Sequence, residues 1–166
     1  MKGLLNFLFK PLVFFFIATI LLLFLFERDL FAAPLRIGLT LGLTGKYAEM
    51  SEMQKKGFEL WVSEVNKKGG LLGREIKLII YDDKSDPTVA KGLYEAMIDN
   101  EGVDLIFAPY SSEITEAVAP IAERHGYPMI VSGASADRIW QRGYRYIFGL
   151  YTLLPVDTPR ASSNSL

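Results

Sequence analysis

The feature that most constrains this chain is the stretch Asp104–Thr115, in which an apolar run leads directly into a helix start. Asp104–Ala108 predicts a buried strand, Pro109 and Tyr110 a corner, and the paired hydroxyls of Ser111 and Ser112 the beginning of a helix. The first N–H groups of a helix have no partner within it, and the helix dipole favours negative charge there. The stretch therefore predicts an anion-binding corner.

The rest of the chain repeats the order of strand followed by helix. Apolar runs alternate with stretches whose apolar residues recur at helical spacing. The predicted strands are Leu35–Leu41, Glu75–Tyr81, Asp104–Ala108, Pro128–Val131 and Tyr144–Phe148, and the predicted helices are 51–68, 87–100, 112–125 and 136–141. This order predicts an α/β fold with a parallel, Rossmann-like sheet and helices on both faces, because parallel strands need crossover connections.

Residues 1–33 have the composition of an export segment. Lys2 and Lys10 precede the apolar run Pro11–Phe26, and Ala32 and Ala33 close the segment. A positive start, an apolar centre and a small-residue end are typical of a signal peptide. The run is long for a signal peptide and slightly short for a spanning helix of about 20 residues. We therefore predict a signal peptide or a membrane anchor over residues 1–33, with the remainder exported.

The length after this segment suits one domain and a short tail. Residues 34–150 carry all the predicted strands, and we expect them to form a single domain. The last ten residues have no hydrophobic period and little apolar content. Sequences of this kind cannot bury enough apolar surface to fold. Residues 151–166 are therefore predicted to be a disordered or truncation-derived tail.

Charge and composition exclude several classes of function. The formal net charge is −1, from 18 basic and 19 acidic residues, and no Lys/Arg run occurs, so no nucleic-acid partner is expected. The chain has no cysteine and one histidine, His125, which disfavours metal, thiol and triad sites. His125 lies at the opposite end of the helix that Ser112 begins, and no G-x-S-x-G elbow occurs. We therefore expect no enzyme activity and no cofactor; a secreted hydrolase is the weakest alternative.

A second corner of the same kind follows the fourth predicted strand, at Ser132–Ser135. In an open parallel sheet the helix N-termini gather at the carboxyl edge of the strands, where ligands bind. A serine hydroxyl and backbone N–H groups at both corners suit a carboxylate, and the carbonyl of Gly133 could accept from an ammonium group. The alternative for these serines is plain helix capping. For Asp82 and Asp83, the favoured interpretation is turn formation and capping rather than metal binding.

The ordered set of motifs resembles the N-terminal lobe of the bacterial periplasmic substrate-binding proteins for branched-chain amino acids. The resemblance covers about Leu35 to Phe148. The matching stretches are Ile37–Gly45, Asn66–Leu78, Tyr81–Pro87, Gly102–Ser112 and Gly126–Ser135. No single stretch is decisive, whereas the order of all five is specific.

This resemblance implies an extracytoplasmic receptor, built on the first lobe of a type I periplasmic binding protein, that delivers a small solute to an ABC permease. Met50 stands where the better-known members often carry an aromatic residue, so the expected ligand is an amino acid, an amide or another small carboxylate. The ligand contacts that the resemblance implies are Ser112, Gly133 and Ser135, with Ser111 and Ala134 beside them and Thr44 and Tyr47 in the loop after the first strand.

The family resemblance also implies a second lobe, which this sequence does not show. Members bind their ligand by closing two lobes around it. We therefore expect a truncated copy whose single lobe binds weakly. The alternative is a ligand-binding sensory ectodomain, in which the apolar N-terminal segment anchors the receptor in the membrane.

Overall fold

A computed structural model describes residues 16–19 and 33–150 of the chain. Residues 16–19 are helical and exposed. Apart from these four residues and Ala33, the predicted export segment lies outside the described residues, as does the whole predicted tail. Within the described ranges, no helix is long and apolar enough to cross a membrane. The elements are β1 (Leu35–Leu41), α1 (Ala48–Lys67), β2 (Ile76–Asp82), α2 (Pro87–Asp99), β3 (Leu105–Phe107), α3 (Ser112–His125), β4 (Met129–Val131), α4 (Asp137–Trp140) and β5 (Ile147–Gly149).

The five strands form one parallel sheet in the order β2-β1-β3-β4-β5. The prediction of an α/β fold with a parallel sheet and helices on both faces is confirmed. The fifth strand is shorter than predicted and begins at Ile147. The reason lies in Arg145 and Tyr146, whose N–H groups donate to the Glu123 carboxylate at 3.0–3.1 Å. Helix α1 begins three residues earlier than predicted, at Ala48.

Each face of the sheet has its own apolar cluster. On one face, α2 and α3 pack over the centre of the sheet around Tyr94, Met97 and Val118, which are fully buried. On the other face, α1 covers β1 and β2 with Phe58 and Val62. Parallel sheets are buried on both faces, which is why their strands read as continuous apolar runs.

The predicted helix boundaries on the first of these faces have clear local causes. Helix α2 starts after Asp86, whose side chain accepts from the N–H groups of Thr88 and Val89, with Pro87 at the first helical position. Helix α3 starts after Ser111, and it ends at Gly126 in the left-handed conformation at φ 68°. These contacts fix the two helices whose N-termini face the carboxyl edge of the sheet.

A buried polar network ties the strand ends together at that edge. The Tyr94 hydroxyl donates to the carbonyl of Phe107 at 2.5 Å and accepts from the N–H of Thr40 at 3.4 Å. The Thr40 hydroxyl donates to one oxygen of Asp83 at 2.7 Å, and the N–H of Ser85 donates to the other at 2.9 Å. Asp83 has no exposed surface. The network therefore links β1, β2, α2 and β3, and confirms turn formation for the acidic pair.

We predict that replacing Asp83 with Asn flattens the pH dependence of folding stability. Burial, partly offset by the hydrogen bonds from Thr40 and Ser85, holds the pKa of Asp83 above its ordinary value of 3.8. A carboxyl group with a raised pKa contributes its full stability below its unfolded pKa and loses that contribution as pH rises through the raised value. From about pH 4 upward, the unmodified chain should therefore lose stability relative to Asp83→Asn in urea unfolding.

Asp137→Asn is the matched control, because it makes the same chemical change at an exposed carboxylate. This variant should keep the pH profile of the unmodified chain. The prediction is wrong if the unmodified chain instead gains stability relative to Asp83→Asn as pH rises. That result would show that the surroundings stabilise the charged form of the Asp83 carboxyl group.

Candidate functional site

The two predicted corners meet through the hydroxyl of Ser112. This residue is the first of α3, and its Oγ accepts from the N–H groups of Ser135 and Ala136, both at 3.1 Å. A serine hydroxyl has two acceptor lone pairs and one donor hydrogen. Since both lone pairs are occupied, the group that Ser112 can offer to a ligand is its O–H.

Ser111 holds this corner in a strained backbone conformation. Its φ is 86° and its ψ is 143°, a region that residues with a Cβ rarely occupy. Its side chain caps α3 by accepting from the N–H of Ile114 at 3.2 Å, and its own N–H donates to the carbonyl of Gly133 at 3.1 Å. Strain of this kind concentrates at ligand-binding positions.

The second corner is closely fitted to the first. A Cβ on Gly133 would lie 3.1 Å from the Gln54 amide nitrogen and 3.2 Å from Cα of Tyr110, so glycine suits this close approach. The Ala134 side chain is only 1% exposed and packs in the core, so only its backbone could reach a ligand. Ser135 is exposed, and its hydroxyl remains at the surface although its N–H is held by Ser112.

The loop after β1 places Thr44 and Tyr47 differently. Thr44 donates its hydroxyl to Asp82 at 2.8 Å and its N–H to the same carboxylate at 3.2 Å, which fixes it to the end of β2. Tyr47 instead reaches the serine corner, because its hydroxyl donates to Glu113 at 3.1 Å. Its ring also meets Tyr110 edge-on at 5.7 Å between centroids. The structure therefore joins Tyr47, but not Thr44, to the first corner through direct contacts.

A charged cluster at this corner was not predicted. Lys46 lies 2.7 Å from Glu113, the second residue of α3. Hydrogen bonds from Lys46 and Tyr47 hold the pKa of Glu113 below its ordinary value, and the bond to Glu113 raises the pKa of Lys46. The two residues are 67 positions apart in the sequence, so no local sequence pattern predicts their contact. The sequence feature that could have identified Glu113 as part of this corner is its position directly after Ser111 and Ser112.

The arrangement suits binding rather than proton transfer. Ser112 and His125 stand at opposite ends of a 14-residue helix, about 20 Å apart along its axis. The first-turn N–H groups of α3 and the Ser112 hydroxyl are donors directed at the carboxyl edge of the sheet. Such donors can hold an anionic group by hydrogen bonding. The Glu113 carboxylate beside them is itself held by Lys46 and Tyr47.

A large cavity lies beside the two corners and is lined in part by their residues. Its volume is about 640 Å³, and only Tyr110, Ser132 and Gly133 of its lining come from the strand-to-helix loops. The other lining residues come from α1, the sheet face below it and the end of β5: Met50, Met53, Gln54, Gly57, Phe58, Trp61, Phe107, Ile130 and Leu150. Ser132 and Gly133 of the second corner therefore line the cavity, whereas Ser111, Ser112 and Ser135 do not.

Comparison with known proteins places these features in a family. The periplasmic binding protein family matches residues 34–161. The leucine-, isoleucine-, valine-, threonine- and alanine-binding protein of Pseudomonas aeruginosa is 33% identical over 117 residues, which are 70% of this chain and 31% of that protein. The chain thus spans about a third of the length of the curated relatives it matches.

Solved structures share the fold. LivJ, the branched-chain amino acid transporter substrate-binding protein of Streptococcus pneumoniae, solved with isoleucine, is 28% identical with a TM-score of 0.66, over 70% of this chain and 33% of that one. A solute-binding protein of an ABC transporter from Rhodopseudomonas palustris BisB5, solved with 3,4-dihydroxybenzoic acid, is 26% identical with a TM-score of 0.64, over 70% and 31%.

We predict that Ser111→Gly is more stable than Ser111→Ala by about 2 kcal/mol. Both variants lose the cap, but only glycine relieves the backbone strain at φ 86°. The glycine variant should therefore be at least as stable as the unmodified chain in urea unfolding.

Ser63, on the exposed face of α1, provides the comparison. There the order should reverse, with alanine more stable than glycine by up to about 1 kcal/mol. A Ser111 pair that follows the Ser63 order would show that the corner is unstrained.

Proposed function

Because this chain belongs to the periplasmic binding protein family, we propose that it is the first-lobe part of an extracytoplasmic solute-binding component of an ABC transporter. The proposed ligand is an amino acid or a related small carboxylate. Its partners are this ligand and an ABC permease. The proposed location is the periplasmic side of the membrane, reached through residues 1–33 as a signal peptide or an anchor.

The observation that carries the proposal is the hydrogen bonding of Ser112. Its two acceptor lone pairs are filled by the N–H groups of Ser135 and Ala136, which leaves an O–H donor. A donor of fixed direction next to the N-terminus of α3 favours an anionic acceptor over a neutral one. The proposed role of Ser112 is therefore to hold the ligand carboxylate, with the adjacent helix N–H groups.

The other proposed contacts follow from the hydrogen-bonding groups of each residue that the contacts described above do not use. Ser135 offers its exposed hydroxyl, and Ala134 offers only its backbone. The carbonyl of Gly133 keeps one lone pair for an ammonium group after accepting from Ser111. Tyr47 would line the entrance through its contact with Glu113, and Thr44 would act indirectly by anchoring the loop to Asp82.

The relatives support this class of ligand and leave its side chain open. One is named for five amino acids, and one was solved with isoleucine. Another was solved with an aromatic carboxylate, 3,4-dihydroxybenzoic acid. These ligands all carry a carboxylate, the group that Ser112 is proposed to hold. The proposal assigns binding without catalysis, because the serine donors suit a carboxylate and the Glu113 carboxylate at the corner is itself held by Lys46 and Tyr47.

We predict that leucine shifts the amide resonances of Ser112, Gly133 and Ser135 in an NMR titration of the purified chain. One lobe supplies only part of a two-lobe site, so we expect a dissociation constant in the millimolar range, corresponding to about −4 kcal/mol. Ser112→Ala should abolish these shifts while the rest of the spectrum remains folded.

Ser63→Ala is the control, since Ser63 is an exposed serine on α1 outside the site. It should bind leucine as the unmodified chain does. The proposal fails if neither leucine, isoleucine nor a benzoate perturbs the three amides, or if Ser112→Ala binds equally well.

A further inference from the structure

The turn between α1 and β2 carries a leucine that suits neither its backbone nor its surroundings. Leu71 and Arg74 pair as an antiparallel bridge, with N···O distances of 2.8 and 3.0 Å, so Leu72 and Gly73 form a two-residue hairpin loop. Both loop residues have a positive φ, 54° and 75°. Such loops favour asparagine or glycine, because a bulky side chain rarely adopts a positive φ. Leu72 is moreover 93% exposed, so an apolar side chain stands in water at the tip.

Arg74, which closes this hairpin, also holds the start of the folded domain. Its Nε donates to the carbonyl of Ala33 at 2.7 Å, and its Nη2 donates to the carbonyl of Pro34 at 3.0 Å. Asp104 fixes the guanidinium, with both carboxylate oxygens 3.3 Å from Nη2. Ala33 and Pro34 directly precede β1. The point at which the predicted export segment joins the domain therefore lies beside the hairpin, at the amino edge of the sheet.

The chain around the hairpin is rich in basic residues. Residues 67–77 contain four basic residues and one acidic residue. Lys68 caps the end of α1 just before the hairpin, and Lys77 follows the hairpin on β2. Both are exposed and form no salt bridge with any residue that the structure describes. An exposed apolar side chain among cations is typical of surfaces that bind an anionic bilayer.

The sequence before Ala33 restricts which side of the domain can face a membrane. Six residues, 27–32, separate the predicted apolar run Pro11–Phe26 from Ala33. Even fully extended, this connection covers at most about 25 Å. The seven-residue β1 is itself about 23 Å long, and Ala33 lies at its amino end. With residues 1–33 retained as an anchor, the carboxyl edge would reach the bilayer only if the connection ran fully extended along the whole sheet.

We propose that the amino edge of the sheet is a membrane-contacting surface, at which Leu72 inserts into an anionic lipid bilayer while Arg74 holds the domain close to it. This orientation rests on the proposed location, with residues 1–33 retained as a membrane anchor. The serine corners lie at the opposite, carboxyl edge and so face away from the bilayer, open to solute. One leucine and a few lysines make a weak, reversible contact, which a permease could displace.

A second copy of this chain fits the same surface less well. Two copies that meet through a two-fold axis would bring the same cations of residues 67–77 face to face, and like charges close together repel one another. A stable protein interface buries about 800 Å² on each partner, far more than the side chains of Leu71 and Leu72 can offer. An anionic bilayer attracts the cations and accepts a single leucine.

The test uses the full chain reconstituted in vesicles of phosphatidylethanolamine and phosphatidylglycerol that contain a lipid spin-labelled near its headgroup. The chain has no cysteine, so Glu75→Cys provides a single thiol for an environment-sensitive fluorophore next to the hairpin. Glu49→Cys provides the matched reporter in the first turn of α1, at the carboxyl edge. Glu75 and Glu49 are both exposed, so either label is accommodated without disturbing the core.

We expect the spin-labelled lipid to quench the Glu75→Cys reporter and to leave the Glu49→Cys reporter unquenched. Adding Leu72→Asn should remove most of the quenching, because a polar amide does not enter a bilayer. The same change should leave the domain at least as stable in urea unfolding, since asparagine suits a positive φ better than leucine does. Leu60→Asn is the control, at a leucine that is 66% exposed and lies about two turns before the end of α1. It should keep the quenching.

Four results would overturn the proposal. Equal quenching of both reporters, or none at Glu75→Cys, would show that the amino edge does not face the lipid. Quenching that Leu72→Asn leaves intact would show that Leu72 makes no contact. A Glu75→Cys signal that follows protein concentration rather than lipid would make a second copy the occupant.

The fourth result is a chain that separates from the vesicles on flotation, which would show that residues 1–33 are no anchor. The leucine titration reports on the serine corners of the purified chain and does not depend on its orientation. Ligand binding and membrane contact can therefore fail separately.

Discussion

The constraint on which this fold depends is the need of a parallel sheet for cover on both faces. Helices α2 and α3 cover one face and bury Tyr94, Met97 and Val118 completely. Helix α1 covers β1 and β2 on the other, where the Phe58 ring stacks on Phe107 at 4.6 Å. Because the strands are parallel and each helix follows the carboxyl end of a strand, all of these helices begin near the same edge. That geometry sets where polar groups gather and where apolar surface remains uncovered.

The polar groups at the carboxyl edge hold one another in place across long stretches of sequence. Thr40 and Asp83 connect the ends of β1 and β2, and Tyr94 connects both to the end of β3. Ser112 then connects the start of α3 to the loop after β4. Buried polar networks are stabilising only when their members are paired. An edge built in this way keeps its donors at fixed positions before a ligand arrives, which lowers the entropy cost of binding.

Local signals in the sequence were sufficient for the framework and insufficient for the site. The alternation of strands and helices along the chain, the Asp86 cap and the bounds of α3 followed from apolar spacing and capping chemistry, because each depends on residues a few positions apart. The occupied lone pairs of Ser112 depend on residues 23 and 24 positions away, and the Lys46–Glu113 contact spans 67. Such pairings arise only once the sheet has set the spacing of its loops. The burial of Ala134, a candidate contact, likewise depends on the tertiary fold, which places its side chain in the core.

Ser111 separates the two interpretations of the serine corner, capping and binding. Capping alone is available to a residue in the ordinary extended conformation, which carries no strain. Ser111 instead adopts a φ of 86°, at a cost of about 1–3 kcal/mol. Its bonds to Gly133 and Ile114 offset part of that cost, and the resulting turn brings Ser112 within 3.1 Å of the second corner. A fold under selection for stability alone would place glycine here. A serine that tolerates the strain is consistent with a corner whose geometry serves a ligand.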